Sequence, residues 1–562
     1  MCIVRVAVAI VASLFFVASV GAQTAEQDIE ARVKKPIALK GPLKGPQIQF
    51  TSQRPPANAE DVFFFLKEVQ FLGVTSYEAS ELQEIALGYL GQEVPLTALY
   101  DIAGRVQAHY RNDDFIFTRA IVPAQQIEDG IVNIEVIEAV IENAVVEEPG
   151  EPIGPVKVLA EQIVSRLIGQ VNPSGALLED VLFTLNEVPG ITRATAVPQA
   201  GGAGRGALAI YVNVERDAAE GIIYADNRQT QAVGRGIFGV SYTFNSYGEA
   251  ADTTTFSLFN SFYFDNYDLD LDERNTVQVE HSAILNPSGL KGSARLLYSQ
   301  TAPGDEQKDV GILGRQILFS LELSQPLVRS KELNLTAAIG AEFLDSTTDV
   351  SLGEINVSDD RLRIASAEIG GLSRDSLGYT LFSLEARQGL PILSSTNAGD
   401  VKSRGDGSTD FTLFRADIER QFVVNDEFSF LLRGSGQFAF QPLFASEEFA
   451  IGGLTYGRGF DPSVATGDLG VGASGEMHWI KHIEIDEFRM SLETYTFLDG
   501  GYIKNLREGE PGSDFVISFG GGLRAYLPDD YVVGVELTHF GATTDAENDF
   551  GDRVFFNLTK GF

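Results

Sequence analysis

Two short stretches carry the residues best suited to specific chemistry. The first is Gly457-Arg458-Gly459-Phe460, one arginine held between two glycines and followed by an aromatic, inside a glycine-rich run from Glu447 to Glu476. The second is Phe497-Leu498-Asp499-Gly500-Gly501, the only obvious FxDxG of the chain. A guanidinium is a planar fork of donors that matches a carboxylate, and flanking glycines let the backbone carry it to a distant partner. An isolated arginine in such a loop is usually a solvated charge. It becomes a specific contact when an acidic group waits on a later strand of a closed barrel. The expected pair is therefore Arg458 with Asp499. Gly457, Gly459 and Phe460 complete the motif of a loop folded into a lumen around 447–476, and Phe497 and Gly501 complete the motif of the strand that receives it. In a wet lumen the pair would add little net stability, so its expected role is to fix the loop's position.

Other arrangements do not support a reaction. Gly234-Arg235-Gly236-Ile237-Phe238-Gly239 fits a dinucleotide-binding GxGxxG by letter, but a strand follows it where a helix is needed. The GGAGRG run before Ala207 lacks the Lys-Ser/Thr ending of a phosphate loop and lies between two strands, as a hairpin tip would. His478 and His482 are four apart, a spacing of about 13 Å on a strand and too far for one metal ion. The five histidines are scattered and no Ser/His or acid–base cluster stands out. No catalytic residue, metal site or cofactor is assigned, and an enzyme is not expected.

The elements that would position these residues follow from composition and pattern. A chain of 562 residues exceeds one hydrophobic core, so several domains are expected. With 42 basic against 78 acidic side chains and a formal charge of −36, it has no means of replacing phosphate counterions, which excludes nucleic acid as a partner. Arg5 followed by the uncharged run Val6 to Val20 and the small residues Gly21-Ala22 reads as a secretory signal peptide, residues 1–22. Cys2, the single cysteine, lies within it, so the exported chain has no thiol for a disulfide, a zinc site or a nucleophile.

Residues 23–60 are polar and interrupted by Pro36, Pro42, Pro46, Pro55 and Pro56, the composition of a tether, with one short helix possible after Ala25. Residues 61–139 read as a small α+β unit: a strand at Val62 to Phe71, a helix closed by Gly91, and a second helix on which Leu99, Ile102, Ala103, Val106 and Tyr110 share one face. Two strands follow, turned at Asp129-Gly130. Residues 140–217 repeat that β-α-α-β-β order. From 218 to 562 the pattern is period-two alternation broken by unequal Asp/Ser/Gly-rich connections, which favours a transmembrane barrel over a soluble sandwich. At roughly 20 residues per strand and connection the stretch holds about 16 antiparallel strands. Val554, Phe556 and Leu558 share one face of the last strand, which ends on Phe562.

With these pieces in place, the chain resembles the outer-membrane transporters of two-partner secretion, the hemolysin secretion/activation or TpsB-type family, over nearly its whole exported length. HYRNDDFIFTRAIVPAQQIEDGIVNIEVIEA is similar to the helix-to-strand passage of the family's POTRA modules, and LNEVPGI to the second-helix ending of the next module. TYGRGFD is similar to the VRG(F/Y) loop motif, with Tyr456-Gly457 before Arg458, and FLDGG to the strand motif whose aspartate takes that arginine. The terminal Phe562 is similar to the signal read by the barrel assembly machinery. The resemblance implies two POTRA modules ahead of a barrel in the outer membrane, working as a monomer among outer-membrane lipids. It implies a pore that moves an unfolded partner from periplasm to cell surface, the partner being a β-helical exoprotein with an N-terminal secretion domain. No ATP would be needed, since folding of the partner outside favours transfer. It also implies that residues 25–33 are a helix plugging the resting pore. A barrel-assembly insertase, which shares both motifs but usually carries more POTRA modules, and a passive porin, in which such modules have no purpose, remain the alternatives.

Overall fold

The computed structural model describes residues 53–562 except 151, 203, 250, 266–267, 305–309, 352–354, 398, 486–487, 507–511 and 544–547. The signal peptide and the plug helix expected before residue 53 lie outside the described residues.

The first module is built on the central strand Ile131–Ile137, parallel to Glu68–Leu72 and antiparallel to Arg119–Ile121. Alternation decides its faces: Val132, Ile134 and Val136 are buried, and the residues between them are half-buried on the other side. Two helices cover the buried face, α1 (Ala79–Ala86) and α2 (Thr97–Asn112). The α2 stripe of Leu99, Ile102, Val106 and Tyr110 packs into the same core. The single strand expected over Val62 to Phe71 is in fact two. Phe63–Leu66 pairs with Gln92–Pro95 in a separate ribbon, and the chain breaks at Lys67, where Lys67 N and Glu68 N both donate to Gly130 O. Asp129 and Gly130 take positive φ, +52° and +74°, the tight turn that makes this approach possible.

The second module repeats the order. Helices α3 (Lys157–Ser165) and α4 (Gly175–Glu187), the latter capped by Ser174 Oγ accepting from Leu177 N, lie on a sheet of Val140–Glu147, Ala207–Arg216 and Ile191–Ala200. Its outer edge is blunted: Ala194 N donates to Asn186 Oδ1, and Pro198 has no N–H.

A polar joint holds the modules together. Glu138 accepts hydrogen bonds from Thr75 N (3.0 Å), Ser76 N (2.9 Å) and Tyr110 OH (2.7 Å), and also from Thr75 Oγ1. Across the joint, buried Asn172 donates to Ser76 Oγ, accepts from Thr118 Oγ1 and gives its N–H to Ala139 O.

From Ala219 onward sixteen antiparallel strands close into a barrel, the number expected from the length. Closure pairs Ile222–Asp226 of the first strand with Asn557–Gly561 of the last, so no sheet edge remains. Large apolar residues such as Leu321, Leu537 and Phe556 point outward and are exposed, while the inward positions are mostly polar, the alternation of a lipid-facing barrel. No helix among the described residues is long and apolar enough to cross a membrane; the crossing elements are strands. The modules lie at the mouth where short turns such as 330–332 and 376–377 connect strands, and the long connections 390–411 and 440–468 lie at the other.

Candidate functional site

The 440–468 connection folds back into the barrel. A short ribbon, Phe449–Ile451 with Ala465–Gly467, carries the tip inward. The stretch expected to be loop up to Glu476 ends earlier: from Leu469 the chain is a wall strand, Leu469–Ile485, because Gly470, Gly472 and Ser474 alternate inward beneath the loop. Gly470 and Gly472 leave room for the rings of Phe449 and Tyr456, and a Cβ at Gly472 would lie 2.5 Å from the Tyr456 ring.

At the tip, Gly457 takes φ +73° and Phe460 N donates to Gly457 O, a tight turn with Arg458 at its head. Asp499, on the strand Phe488–Lys504, accepts from Arg458 Nε at 2.5 Å, from Gly457 N at 2.7 Å, from Arg458 N at 3.1 Å and from Ser518 Oγ at 2.8 Å. The carboxylate thus holds the backbone of the turn as well as the guanidinium. Arg458 also donates to Ser474 Oγ, lies 3.4 Å from Glu476 Oε1 and 3.9 Å from Glu536 Oε2, and stacks 3.8 Å from the ring centre of Phe497. Gly459 N donates to Ser518 Oγ, Phe460 meets Phe540 edge-on at 4.6 Å, and Ile451 of the ribbon occupies the space left by Gly501.

The sequence pairs Arg458 correctly but misjudges its surroundings. Arg458 is 5% exposed and Asp499 2%, so water does not screen this pair, and the small net contribution of an exposed ion pair does not apply. The site is a network, with Arg433 on Glu476, and Arg228 and Tyr495 on Glu536. Those partners come from four wall strands and the first surface connection. None is near Arg458 in sequence, and only strand register brings them together. The tip is also tied by Asp461, which accepts from Arg235 Nη1 and Arg553 Nη1.

Two further clasps, with no motif to signal them, hold the loop's base. Glu447 accepts two bonds from Arg387, both 3.0 Å, and one from Arg415. Fully buried Asp468 takes Arg404 Nη1 at 2.6 Å together with Leu443 N and Leu506 N, joining three surface connections.

The remaining sequence candidates are placed elsewhere. Phe562 exchanges backbone hydrogen bonds with Gly221 and lays its ring against that glycine, 6.0 Å from Tyr242, at the barrel seam. His478 lies with Nδ1 2.6 Å from Glu493 Oε1, whereas His482 is exposed beside Ser491. No group of His, Cys, Asp or Glu among the described residues is arranged to hold a metal ion. Gly234 ends a short turn, and a barrel strand begins at Gly236.

A site of this kind has no reacting group aimed at a vacant position. Its donors and acceptors are spent on one another, and what it can do is hold or release a loop.

The family model for haemolysin secretion/activation proteins ShlB/FhaC/HecB matches residues 206–525, and the model for the ShlB-type POTRA domain matches residues 64–139. The heme/hemopexin transporter protein HuxB of Haemophilus influenzae is 24% identical over 498 residues, covering 84% of this chain and 83% of its own. Among solved structures, CdiB from Escherichia coli superposes with a TM-score of 0.72 at 17% identity, covering 97% of this chain and 98% of its own. CdiB from Acinetobacter baumannii gives 0.65 at 16% identity, covering 97% and 99%. At these identities the structural likeness concerns the fold.

Proposed function

We propose, from the premise that this chain belongs to the ShlB/FhaC/HecB family of haemolysin secretion/activation proteins, that its lumen loop is the gate of a polypeptide-conducting pore. The protein is an outer-membrane translocator of two-partner secretion, with its POTRA modules in the periplasm and a secreted exoprotein as partner. In our reading the partner arrives unfolded, is β-helical once outside, and meets residues 61–217 through its N-terminal secretion domain. Residues 140–217 act as a second POTRA module. The observation that carries the gate is the buried Arg458–Asp499 pair, which fixes the tip of a long surface loop to the inside of a closed barrel.

Arg458, with Gly457, Gly459 and Phe460, is the latch, and Asp499, with Phe497 and Gly501, is its keeper. Phe562 is the signal that assembly reads. Transport needs no nucleotide in this scheme, because folding on the far side keeps the chain from returning.

Deleting the gene from its host and quantifying both the supernatant and the outer-membrane proteins tests the reading. Loss of one large secreted protein with the membrane profile unchanged is expected, and it would identify the partner. A broad fall in other barrels would make the protein an insertase, and no change in either fraction would leave a porin.

A further inference from the structure

Around a ring of sixteen strands, the loop uses one side. Its tip is bound to the strands Leu469–Ile485, Phe488–Lys504, Ser513–Leu527 and Tyr531–Thr543, the twelfth to fifteenth of the barrel. Eight strands away from the thirteenth and fourteenth lie the fifth and sixth, Lys291–Thr301 and Ile312–Arg329. A cavity of 270 Å³ opens along that opposite wall, lined by Arg295, Ser320, Glu342, Ser366 and Glu385 and closed by Glu447 of the loop's base. The two sides differ in character. Beneath the tip, Tyr456, Phe460 and Phe540 fill the space with buried rings. The cavity wall is mainly polar, with charges and hydroxyls close together, and borders a buried apolar cluster that includes Leu318, Leu344 and Ile364.

A second observation concerns the periplasmic mouth. The sixth strand ends in Arg329, whose Nε lies 2.8 Å from Glu187 Oε2 and whose Nη1 lies 3.8 Å from Asp180, both on α4 of the second module. That module lies under the second to sixth strands, Arg216 bonding Asn245 O and Ser246 O, and reaches through Arg329 to the near edge of the wall that carries the cavity.

We propose that the translocating polypeptide runs along this wall, from α4 past Ser320 and Ser366, between the fifth-to-ninth strands and the loop's base. The inference rests on the translocation reading above and adds the route. Side chains of mixed sign along the cavity give a passing backbone many weak hydrogen bonds, so the chain can enter and still leave, while the apolar cluster of Leu318, Leu344 and Ile364 beside it must part together with the loop's base. The Glu447 clasp to Arg387 and Arg415 closes the cavity on its loop side and must exchange for the lane to open, whereas beneath the tip Tyr456, Phe460 and Phe540 pack against one another.

The test uses single cysteines in the full-length protein, whose only cysteine lies in the expected signal peptide. Ser320→Cys and Ser366→Cys probe the lane, and Thr538→Cys, an inward residue beneath the tip, probes the other wall. The probe is the exoprotein lost from the supernatant of the deletion strain, carrying one cysteine and stalled in transit by a disulfide-closed carboxy-terminal fusion. Heat-modifiable migration confirms that each variant is assembled. Disulfide adducts at positions 320 and 366 with at most a trace at 538 are expected. Adducts chiefly at 538, equal adducts at all three, or none while the stalled partner still blocks export would overturn the lane and leave translocation standing. If no secreted protein is lost from the supernatant of the deletion strain, so that no such probe exists, the translocation reading itself is overturned.

Discussion

Arg458 is a single cation facing Asp499, Glu476 and Glu536, with the Phe497 ring beneath it. Desolvating such a group is costly, and the geometry repays it with a short bond from Nε, a hydroxyl on Nη2 and an aromatic face. Removing one member leaves buried charge uncompensated, a change worth about 3–5 kcal/mol. Arg458→Ala should therefore give an assembled barrel that secretes poorly and melts at a lower temperature than the parent, read by heat-modifiable migration across a temperature series. Arg458→Lys should restore little, since an ammonium cannot serve Asp499 and Ser474 in one plane. Wild-type secretion by either variant would show that the latch has no part in transport. Gly459 makes a second test of the same turn. A Cβ there would lie 2.5 Å from Phe540 Cβ, and overpacking of this kind costs about 1–3 kcal/mol. Gly459→Ala should raise the accessibility of the tip to protease added to intact cells while leaving the amount of barrel unchanged.

Among the elements, the first module's side of the joint is organised by one carboxylate, which holds the Thr75-Ser76 turn that Asn172 of the second module grips. Burial works against the charged form of Glu138, but the hydrogen bonds from Thr75, Tyr110 and Ser76 outweigh it and hold the carboxyl below its ordinary value of 4.5. A group depressed on folding stabilises at pH above its unfolded value and loses that contribution as pH falls through the folded one. Resistance of the modules to proteolysis in the full-length protein should accordingly be constant above pH 4.5 and fall below it. In Glu138→Gln it should be lower by about 1–3 kcal/mol above pH 4.5, and the gap should close below it because the variant lacks this acid-dependent step. An unaltered acid profile in that variant would remove Glu138 from the joint's energetics. These elements were readable to different degrees. The α2 stripe and the alternation of Ile131–Ile137 are strong local periodicities and lie where the pattern places them. The break at Lys67 was invisible, because it is imposed by Gly130 more than sixty positions later and not by any residue beside it.

For the whole molecule, the second module and the barrel meet through Arg329 on α4, through Arg216 on the carbonyls of Asn245 and Ser246, through Ser246 Oγ on Pro189 O, and through Ile284 packed against the module's core. The side chain of Arg329 is 6% exposed, so reversing its charge would set a buried carboxylate against the part-exposed Glu187 and Asp180. Arg329→Glu should leave both parts folded but loosen α4 from the mouth while the Arg216 and Ser246 contacts persist, lowering secretion without lowering barrel abundance in outer-membrane fractions. Deletion of both modules should abolish secretion altogether. Full export after that deletion would contradict any role of residues 61–217 in receiving the partner.

What the amino-acid sequence determined by itself was the class of each part and the identity of the central pair. Period-two alternation over hundreds of residues, two β-α-α-β-β repeats and a Gly-Arg-Gly-Phe turn matched to FxDxG are local signals, and apart from the split first strand of the first repeat they carry over into the fold. Tertiary structure decided the rest. Glu476, Glu536 and Ser518 join Arg458 because strand register turns their side chains to one face at one height, and Arg228 reaches Glu536 from the first surface connection. The Glu447 and Asp468 clasps, equally unmarked, arise where a surface loop happens to cross particular strands. Burial is the largest difference. A sequence names charges but not the dielectric around them, and it was exclusion of water by Phe460, Phe540 and Tyr456 that turned an expected surface-like contact into a buried latch.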